Sequence, residues 1–360
     1  MLFDLPDDDV LYCALIARDP AYDGFAFVGV KSTGIFCRLT CPARKPKREN
    51  SVFYSSIVGA MEAGYRPCKR CSPLMPNGLK EALVIKLLAA LEDSPDRKWA
   101  EEDVQALNVD PSTVRRAFKR HFGITFLEMA RLRRLGKGVD ALTRGNQVID
   151  AQLDANYGSA SGFRAAIIRQ IGLSPTHARK HHFLNADWLD TPIGTMLAIA
   201  DKQALYLLEF IDRPALPREI DKLKQQTASE IIFGSTRPLE QIKHELADYF
   251  SGKNLTFKTK LVEFGSIFTR KVWDALRAIP VGELRSYSAL ARDIGQSSAS
   301  RAVARANGAN QISILIPCHR VIGADGSLTG YGGGLWRKQW LIEHERRMRL
   351  NNSSVDLLDK

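Results

Sequence analysis

The stretch ILIPCHRVI, residues 314–322, sets a single cysteine, Cys318, between a proline and a histidine. Leu315, Ile316 and Pro317 form a short apolar approach to it. A histidine alongside can take the proton of a thiol, and the thiolate is a soft nucleophile. A buried, inert thiol is the ordinary alternative for any one cysteine, so the rest of the sequence has to decide between the two.

The bulk properties of the chain indicate a globular protein of several domains. Its 360 residues, of which 45% are hydrophobic, favour two to four domains. No apolar run approaches the roughly 18 to 20 residues that span a bilayer, so we expect no membrane partner. The N-terminus is acidic and is not a signal peptide, which predicts a cytoplasmic protein.

Positive charge is concentrated in two parts of the chain, whose formal net charge is +11. Residues 31–71 hold nine Lys or Arg against two acids, and residues 115–183 hold thirteen against four. Residues 186–262 are nearly neutral, with ten against eleven. Two separate basic stretches favour two surfaces that face nucleic acid. Ordinary solvated helix faces are the alternative.

Four of the six cysteines have the spacing of a metal site. Cys37 and Cys41 are followed, after 26 residues, by Cys68 and Cys71. Two close cysteine pairs suit a tetrahedral ion, and four thiolates around one Zn²⁺ are the standard arrangement. The site could be purely structural, as in a zinc ribbon. Zinc-held thiolates can also attack an alkyl group, which leaves a chemical role open.

This cysteine region resembles the metal-binding domain of the Ada family of alkylation-response proteins. The similarity lies in residues 32–38 (STGIFCR), 41–44 (CPAR) and 63–71 (AGYRPCKRC). It implies that Cys37 is both a zinc ligand and the acceptor of a methyl group from DNA phosphotriesters, and that the other three cysteines complete the ligand set. Residues that flank the site and would contact DNA are Arg44, Lys45 and Arg66. Cys13 matches no family position, and we expect it to be a small buried hydrophobe.

The middle of the chain predicts two helix-turn-helix units. Asp110 is a plausible N-cap with Pro111 at the first helical position, and Gly123 ends that helix. Similar signals repeat about fifty residues later, where we expect helices over 148–157 and 160–171. An ordinary helical bundle with a charged outer face is the alternative.

Residues 80–183, through FKRHFG at 118–123, resemble the AraC-type DNA-binding domain. The basic side chains that would reach bases or phosphates are Arg115, Arg116, Lys119 and Arg120 in the first unit and Arg164 in the second. The second unit departs from the family at Asn156, which replaces the usual glycine, and at Ile168, where aromatic residues are common. The departures put base readout by that unit in doubt, but not its fold.

The C-terminal region resembles the O6-alkylguanine-DNA alkyltransferases, with residues 314–322 as their active-site strand. The similarity continues through 330–338 (GYGGGLWRK) and is preceded by PVGE at 280–283, SY at 286–287 and RAV at 301–303. It covers about 80 residues. Gln311 departs from the family, which usually has proline at that position.

This resemblance implies a set of roles. Cys318 is the methyl acceptor, His319 takes its proton through water, Glu345 orients the histidine, Tyr287 aids the leaving guanine, and Asn310 braces the turn before the cysteine. Arg301 would fill the base stack, Tyr331 would line the base pocket, and the main chain at Cys318 and Val321 would read the guanine edge. The target base has to be flipped out, because a buried thiolate cannot reach it within the duplex.

The predicted fold class is a multidomain α+β chain. We expect a zinc-bound α/β domain at 1–78, an all-α double helix-turn-helix domain at 79–184, a ribonuclease-H-like αβ domain at 186–262, a winged-helix-like alkyltransferase domain at 263–350 and a tail at 351–360.

The predicted function is single-use DNA repair. Methyl groups pass from O6-methylguanine and O4-methylthymine to Cys318, and from methylphosphotriesters to Cys37, which converts the protein into a transcriptional activator. Two alternatives remain: a repair protein whose helical region only anchors DNA, and a regulator whose alkyltransferase half is inactive. The partners we expect are alkylated and promoter double-stranded DNA and RNA polymerase, with the protein a monomer.

Overall fold

The computed structural model describes residues 5–74 and 79–355, without the side chains of 79–82, 120, 121 and 351–355. The chain divides into two compact units, residues 1–79 with 265–360 and residues 80–264. Our finer division into four domains and a tail stays a prediction. Its first boundary, at residue 78, lies outside the described residues, as do residues 356–360 of the tail.

The N-terminal part of the first unit is built on a four-stranded sheet in the order β3-β1-β2-β4. Its elements are α1 (Asp8–Ala17), β1 (Phe27–Val30), β2 (Ile35–Arg38), β3 (Ser51–Tyr54), α2 (Ile57–Glu62) and β4 (Arg66–Pro67). Phe27, Phe36 and Ala60 pack beneath the sheet. β4 pairs in parallel with β2, and the Cys68 amide donates to the carbonyl of Phe36 at 3.0 Å. This pairing brings the two cysteine pairs together.

The second unit begins with seven helices. They are α3 (Leu79–Asp93), α4 (Glu101–Ala106), α5 (Pro111–Phe122), α6 (Phe126–Thr143), α7 (Val148–Asp154), α8 (Ala160–Ile171) and α9 (Pro175–Ala178). Asp110 caps α5 by accepting a hydrogen bond from the Thr113 amide, and Gly123 ends the helix with φ of 72°. These predictions are confirmed. Our bound for α7 was wrong: the helix ends at Asp154, because Asn156 has a left-handed φ of 53°.

A second sheet follows in the same unit, in the order β7-β6-β5-β8. Its elements are β5 (Phe183–Leu189), β6 (Met196–Ala200), β7 (Leu205–Phe210), α10 (Leu216–Thr227), β8 (Glu230–Phe233) and α11 (Arg237–Ser251). The hairpin of β6 and β7 is confirmed, with Asp201 accepting hydrogen bonds from two amides of its turn. We predicted neither α10 nor β5.

The helices and the sheet of the second unit share one apolar core. Buried side chains of α3, α5 and α6 pack with those of β5, β6, β7 and α10. A close approach occurs at Gly136 of α6, where a Cβ atom would lie 2.1 Å from the carbonyl oxygen of Phe233. Only glycine fits at that contact, because any side chain would overlap the backbone of β8.

The C-terminal part of the first unit is helical with one short parallel strand pair. Its elements are α12 (Ile267–Arg277), β9 (Arg285–Ser286), α13 (Tyr287–Asp293), α14 (Ser300–Gly308), β10 (Val321–Ile322) and α15 (Leu335–Val355). Our expectation of an active-site strand at Cys318 was wrong. Cys318–Arg320 form a 3₁₀ turn, and strand pairing with β9 begins only at Val321. Among the described residues, no helix is long and apolar enough to cross a membrane.

Candidate active site and metal centre

Cys318 lies buried at the start of the 3₁₀ turn, with 5% of its surface exposed. The side chain of Asn310 fixes its approach. Asn310 Nδ2 donates to the carbonyl of Ile316 at 2.8 Å and to Cys318 Sγ at 3.2 Å, while its Oδ1 accepts from the Ile312 amide at 2.9 Å. Between them, Ile314 has a φ of 73°, a strained conformation for a β-branched residue. The loop is therefore held in place by Asn310 rather than by its own backbone preference.

A buried charged network lies directly after the cysteine. His319 and Glu345 are 0% and 1% exposed, and His319 Nε2 lies 2.8 Å from Glu345 Oε1. Arg320 Nε donates to Oε2 of the same carboxylate and Nη2 to Oε1, both at 2.9 Å. The Gly282 amide also donates to Oε2, at 3.2 Å. A carboxylate with this many donors is fixed in orientation and in its ionised state.

The network sets the protonation of both partners. Burial alone would raise the pKa of Glu345, but the charges and hydrogen bonds of His319 and Arg320 outweigh it and hold that pKa below its usual range. Burial lowers the pKa of His319, against the attraction of Glu345. The imidazole is thus neutral near pH 7. When Nε2–H donates to the carboxylate, Nδ1 keeps the free lone pair and can accept a proton. Among the described residues, Nδ1 has no hydrogen-bond partner.

Tyr287 begins α13 on the other side of the pocket. Its hydroxyl lies 3.5 Å from the carbonyl of Thr329 and 3.4 Å from that of Gly330, and Asn307 Nδ2 lies 3.5 Å from it. Burial, followed by the nearby charge of Cys318, raises the pKa of Tyr287 to about 12. The phenol therefore stays protonated at neutral pH and remains a proton donor.

The other residues assigned to this site from sequence differ in exposure. Tyr331 is buried, and Val321 is fully buried next to the 3₁₀ turn. Arg301 is exposed at the start of α14, where its side chain can extend into solvent.

Three further residues, whose roles were not predicted from sequence, belong to the same site. They are Asn307, Arg320 and Lys338, each at most 7% exposed. Arg320 and Lys338 stand inside the very motifs that carried the resemblance, in PCHR and LWRK. Their role depends on tertiary contacts, so no spacing rule indicates it.

The four predicted zinc ligands form one cluster. Their sulfur atoms all lie within 4.8 Å of one another, and Cys41 Sγ is 4.0 Å from Cys68 Sγ. Zinc–sulfur bonds of about 2.3 Å in a tetrahedron place the sulfurs about 3.8 Å apart, so the donor set fits one Zn²⁺. The Arg38 amide lies 3.4 Å from Cys71 Sγ, and the Arg70 amide lies 3.4 Å from Cys68 Sγ. Such contacts stabilise thiolates.

The basic residues near this cluster divide into two groups. Arg44 and Arg66 are exposed, as contact with DNA requires. Lys45 instead turns inward: its Nζ donates to the carbonyls of Leu39 at 2.8 Å and Cys41 at 3.3 Å, and burial lowers its pKa. At this position Lys45 stabilises the cysteine loop and is poorly placed to contact a phosphate.

Cys13 does not have the environment we expected. It is exposed on α1, so our prediction of a buried hydrophobe was wrong. It lies on the exposed side of α1, whose buried positions are Leu11, Ala14 and Leu15.

In the helical region, α5 presents the predicted basic face. Arg115, Arg116 and Lys119 are exposed, and Arg115 Nη2 forms an ion pair with Glu101 at 2.5 Å. The side chain of Arg120 lies outside the described residues. Arg164 is exposed on α8, in the second of the two predicted helix-turn-helix units.

Three family models match separate parts of the chain. The metal binding domain of Ada matches residues 11–73, a helix-turn-helix domain matches 104–181, and the 6-O-methylguanine DNA methyltransferase DNA binding domain matches 267–347. A crystal structure of the Mycobacterium tuberculosis O6-methylguanine methyltransferase is 37% identical to this chain, covering 46% of it and 94% of that chain with a TM-score of 0.40. The fold and the two cysteine sites thus define a multidomain α+β protein that joins a metal-binding, a helix-turn-helix and a methyltransferase domain.

Two relatives match nearly the whole length. The bifunctional transcriptional activator/DNA repair enzyme Ada of Escherichia coli K12 is 32% identical over 347 residues, 94% of this chain and 96% of the relative. The regulatory protein ada of Salmonella typhimurium is 30% identical over 348 residues, again 94% and 96%. The chain therefore belongs to the Ada family, and the resemblances drawn from its sequence are confirmed. The metal-domain match and the sulfur cluster also confirm the single Zn²⁺ bound by cysteines.

Proposed function

We propose that this chain repairs methylated DNA by taking methyl groups irreversibly onto Cys318 and Cys37. The observation that carries the first transfer is the position of Cys318 Sγ, held by Asn310 beside the buried His319–Glu345 pair. His319 takes the thiol proton through a bridging water. The thiolate then attacks the methyl carbon on O6 of guanine or O4 of thymine, so that an S–C bond forms as the C–O bond breaks.

The leaving base takes the electron pair of the broken bond. Tyr287, whose phenol is protonated at neutral pH, supplies a hydrogen bond to the base so that it does not depart as a free anion. S-methylcysteine is a thioether with no easy leaving route, so Cys318 acts once. In the terms of reaction class, the chain is a single-turnover methylated-DNA–protein-cysteine methyltransferase.

The target nucleotide is flipped out of double-stranded DNA, at a cost of a few kcal/mol that is smallest for a damaged pair. Arg301, exposed at the start of α14, fills the gap in the stack. Tyr331 lines the base pocket, and the main chain at Cys318 and Val321 reads the guanine edge.

The second transfer takes place at the four-cysteine site, which is held by Cys37, Cys41, Cys68 and Cys71. Zn²⁺ held by these four residues would keep their thiols deprotonated at neutral pH. The Cys37 thiolate attacks the methyl carbon of a DNA methylphosphotriester, so that an S–C bond forms as the C–O bond breaks and a phosphodiester anion is left in the DNA. Arg44 and Arg66 bind neighbouring phosphates, and Lys45 holds the cysteine loop. Methylation makes the site one unit less negative, which strengthens phosphate binding.

This charge change converts the protein into a transcriptional activator of the alkylation response. The exposed basic residues of α5 and Arg164 of α8 bind promoter DNA, and RNA polymerase is the further partner. The protein acts as a cytoplasmic monomer, with domains at 1–78, 79–184, 186–262 and 263–350. The second candidate function is that of a repair protein whose helices only anchor DNA. It is favoured by Ile168, which is exposed on α8 at a position where the family has an aromatic residue.

Methyl mapping tests the two acceptors. Duplex DNA with labelled O6-methylguanine should label the Cys318 peptide, and labelled phosphotriester should label the Cys37 peptide. The variant Cys318→Ala should lose the first label only, and Cys13→Ala, at an exposed cysteine outside both sites, should lose neither. Label on any other cysteine would contradict the assignment.

Promoter binding separates activation from anchoring. Phosphotriester-methylated protein should bind promoter DNA more tightly than unmethylated protein, and the difference should shrink as salt is raised. Equal affinity in the two states would favour the anchoring function.

A further inference from the structure

The helices α5 and α8 have the same length and the same kinds of ends. Each has twelve residues, begins after a side-chain cap, Asp110 or Ser159, and ends at a glycine with a left-handed φ, Gly123 or Gly172. α5 packs with the first half of α6, and α8 packs with the second half. Each is the second helix of its helix-turn-helix unit, the one that enters the major groove of DNA. The two helices can therefore be compared position by position.

The exposed face of α8 has a largely apolar centre. Ser161, Ala165 and Ile168 follow one another at helical spacing and are all exposed, Ile168 by 48%. At 3.6 residues per turn, the exposed Arg164 and Arg169 flank this row, one on each side. The opposite side of α8 is buried against α6 and α7, so the row faces away from the protein.

The equivalent positions of α5 are basic. Counted from the start of each helix, Arg116 of α5 corresponds to Ala165 of α8. Lys119 corresponds to Ile168 in the same way, and both basic residues are exposed. Arg and Lys donate hydrogen bonds to O6 and N7 of guanine, whereas an apolar side chain contacts the C5 methyl group of thymine. The two helices thus offer different chemistry to a major groove, hydrogen-bond donors on α5 and aliphatic groups on α8.

An aliphatic row between two arginines fits the major groove of DNA. The guanidinium groups of Arg164 and Arg169 can bind phosphates on the two sides of the groove, which leaves the row between them over the base edges. Contact of Ile168 with a methyl group removes apolar surface of both from water and so stabilises the complex. Among the four bases, thymine alone presents a methyl group in the major groove.

We propose that α8 reads thymine: Ala165 and Ile168 contact the C5 methyl groups of promoter thymines, while Arg164 and Arg169 hold the neighbouring phosphates. This inference rests on the proposed binding of promoter DNA by the helix-turn-helix domain. Side chains three residues apart lie about 5–6 Å from one another and successive base pairs about 3.4 Å, so the two thymines lie within about two base steps. The isoleucine at position 168 then changes which base is read and does not abolish readout.

Selection from a random pool identifies the sequence that the chain prefers. Full-length zinc-loaded protein, methylated at Cys37 with phosphotriester DNA, is incubated with duplexes that carry a randomised central segment. A selected duplex is then resynthesised with deoxyuridine in place of each thymidine in turn, which removes one methyl group and keeps the hydrogen bonds of the base pair. Affinity is measured at one fixed salt concentration.

Deoxyuridine should weaken binding about fourfold at one or two neighbouring thymines, which is the effect of one buried methyl group. Ile168→Ala should bind the thymidine and deoxyuridine duplexes equally at one of these positions. Ile168→Lys, which gives α8 the residue of α5, should select guanine there instead. Ile149→Ala, at an isoleucine of α7 that is 52% exposed, is the matched control and should keep the preferences of the unsubstituted chain.

The flanking arginines should behave differently from the row. Arg164→Ala and Arg169→Ala should weaken binding to all duplexes alike, and each should lower the slope of log affinity against log salt concentration by about one. A changed base preference in either variant would overturn the assignment of these arginines to phosphates.

Two results would overturn thymine readout while leaving promoter binding in place. One is an unchanged affinity for every deoxyuridine duplex, and the other is the same thymine preference in Ile168→Ala as in the unsubstituted chain. If the unsubstituted chain selects no sequence at all, its helices only anchor DNA, and the proposed activator function fails together with this inference.

Discussion

Replacing Glu345 with glutamine tests the buried network that prepares the acceptor cysteine. The carboxylate receives hydrogen bonds from His319, from two nitrogens of Arg320 and from the Gly282 amide, and it is 1% exposed. Glu345→Gln keeps the shape but leaves the Arg320 cation buried without a counter-charge. Removing one partner of a buried ion pair costs about 3–5 kcal/mol. At 3 kcal/mol, the melting transition of the unit that holds α15 should fall by roughly 6–12 °C.

The same change should slow methyl transfer. Glutamine can hold His319 with its amide nitrogen as well as its oxygen, so the tautomer with a free Nδ1 lone pair is no longer enforced. We expect the single-turnover rate at neutral pH to fall roughly a hundredfold, at the lower end of the range for loss of general base catalysis. The assay uses excess labelled O6-methylguanine duplex and quenched time points.

The pH dependence of stability gives a second signature. The folded-state pKa of Glu345 lies below its ordinary value of 4.5, so its stabilising contribution is present above that value and is lost as pH falls towards the folded pKa. Glu345→Gln should lack this acid-dependent loss. The control is Glu343→Gln, at a half-buried acid on the same helix that accepts a hydrogen bond from Gln339. If Glu345→Gln has the same transfer rate and melting transition as that control, the carboxylate neither orients His319 nor balances the charge of Arg320.

Three further predictions follow from other parts of the molecule. Removing Zn²⁺ with a chelator should abolish phosphotriester repair while Cys318 still takes a methyl group from O6-methylguanine, as label mapping would show; loss of both would contradict separate sites. Gly136→Ala should lower the melting temperature of the 80–264 unit, because its Cβ would overlap the carbonyl of Phe233, whereas Gly158→Ala, with nothing within 4 Å, should not; equal melting would contradict the close contact. Tyr287→Phe should reduce the transfer rate roughly tenfold to a hundredfold at unchanged DNA affinity, and a loss of affinity alone would argue against its role with the leaving base.

Local signals predicted the helical region well. Asp110 and Gly123 set the bounds of α5 through capping, which depends only on neighbouring residues. Asn156 takes the left-handed conformation expected where the family has glycine, and it ends α7 earlier than apolar periodicity indicated. Capping and turn residues therefore predicted that these segments are helices. The C-terminal end of α7, in contrast, depends on the backbone conformation of a single residue.

Elements that are stabilised by residues far away in the sequence were not predicted. β5 carries Asn185 and Asp187 among its apolar residues, which masks a buried strand in a sequence pattern. Before α10, Arg213 forms a buried ion pair with Glu219 of that helix and another with Glu209 of β7, an arrangement that only the folded sheet creates. Burial of these charges is decided by tertiary contacts and not by spacing.

The candidate site shows the same division. Its cysteines were predicted because their spacing and neighbours carry the chemistry, and the four sulfurs do meet in one cluster. The 3₁₀ turn at Cys318 was not predicted, because it depends on Asn310 holding a loop with a strained Ile314. The burial and contacts of Lys338 were not predicted, because its partners are main-chain carbonyls, which every residue has and which no sequence pattern marks.

The number of methyl groups that one chain accepts is the most direct test of transfer to both Cys318 and Cys37. Full-length zinc-loaded protein is incubated with a large excess of duplex that carries both O6-methylguanine and methylphosphotriesters, and its intact mass is followed until it stops changing. We expect a final gain of two methyl groups, one on Cys318 and one on Cys37, with no release of methyl to solution. Continued turnover, or a plateau at one methyl group with Cys37 unmodified, would contradict it.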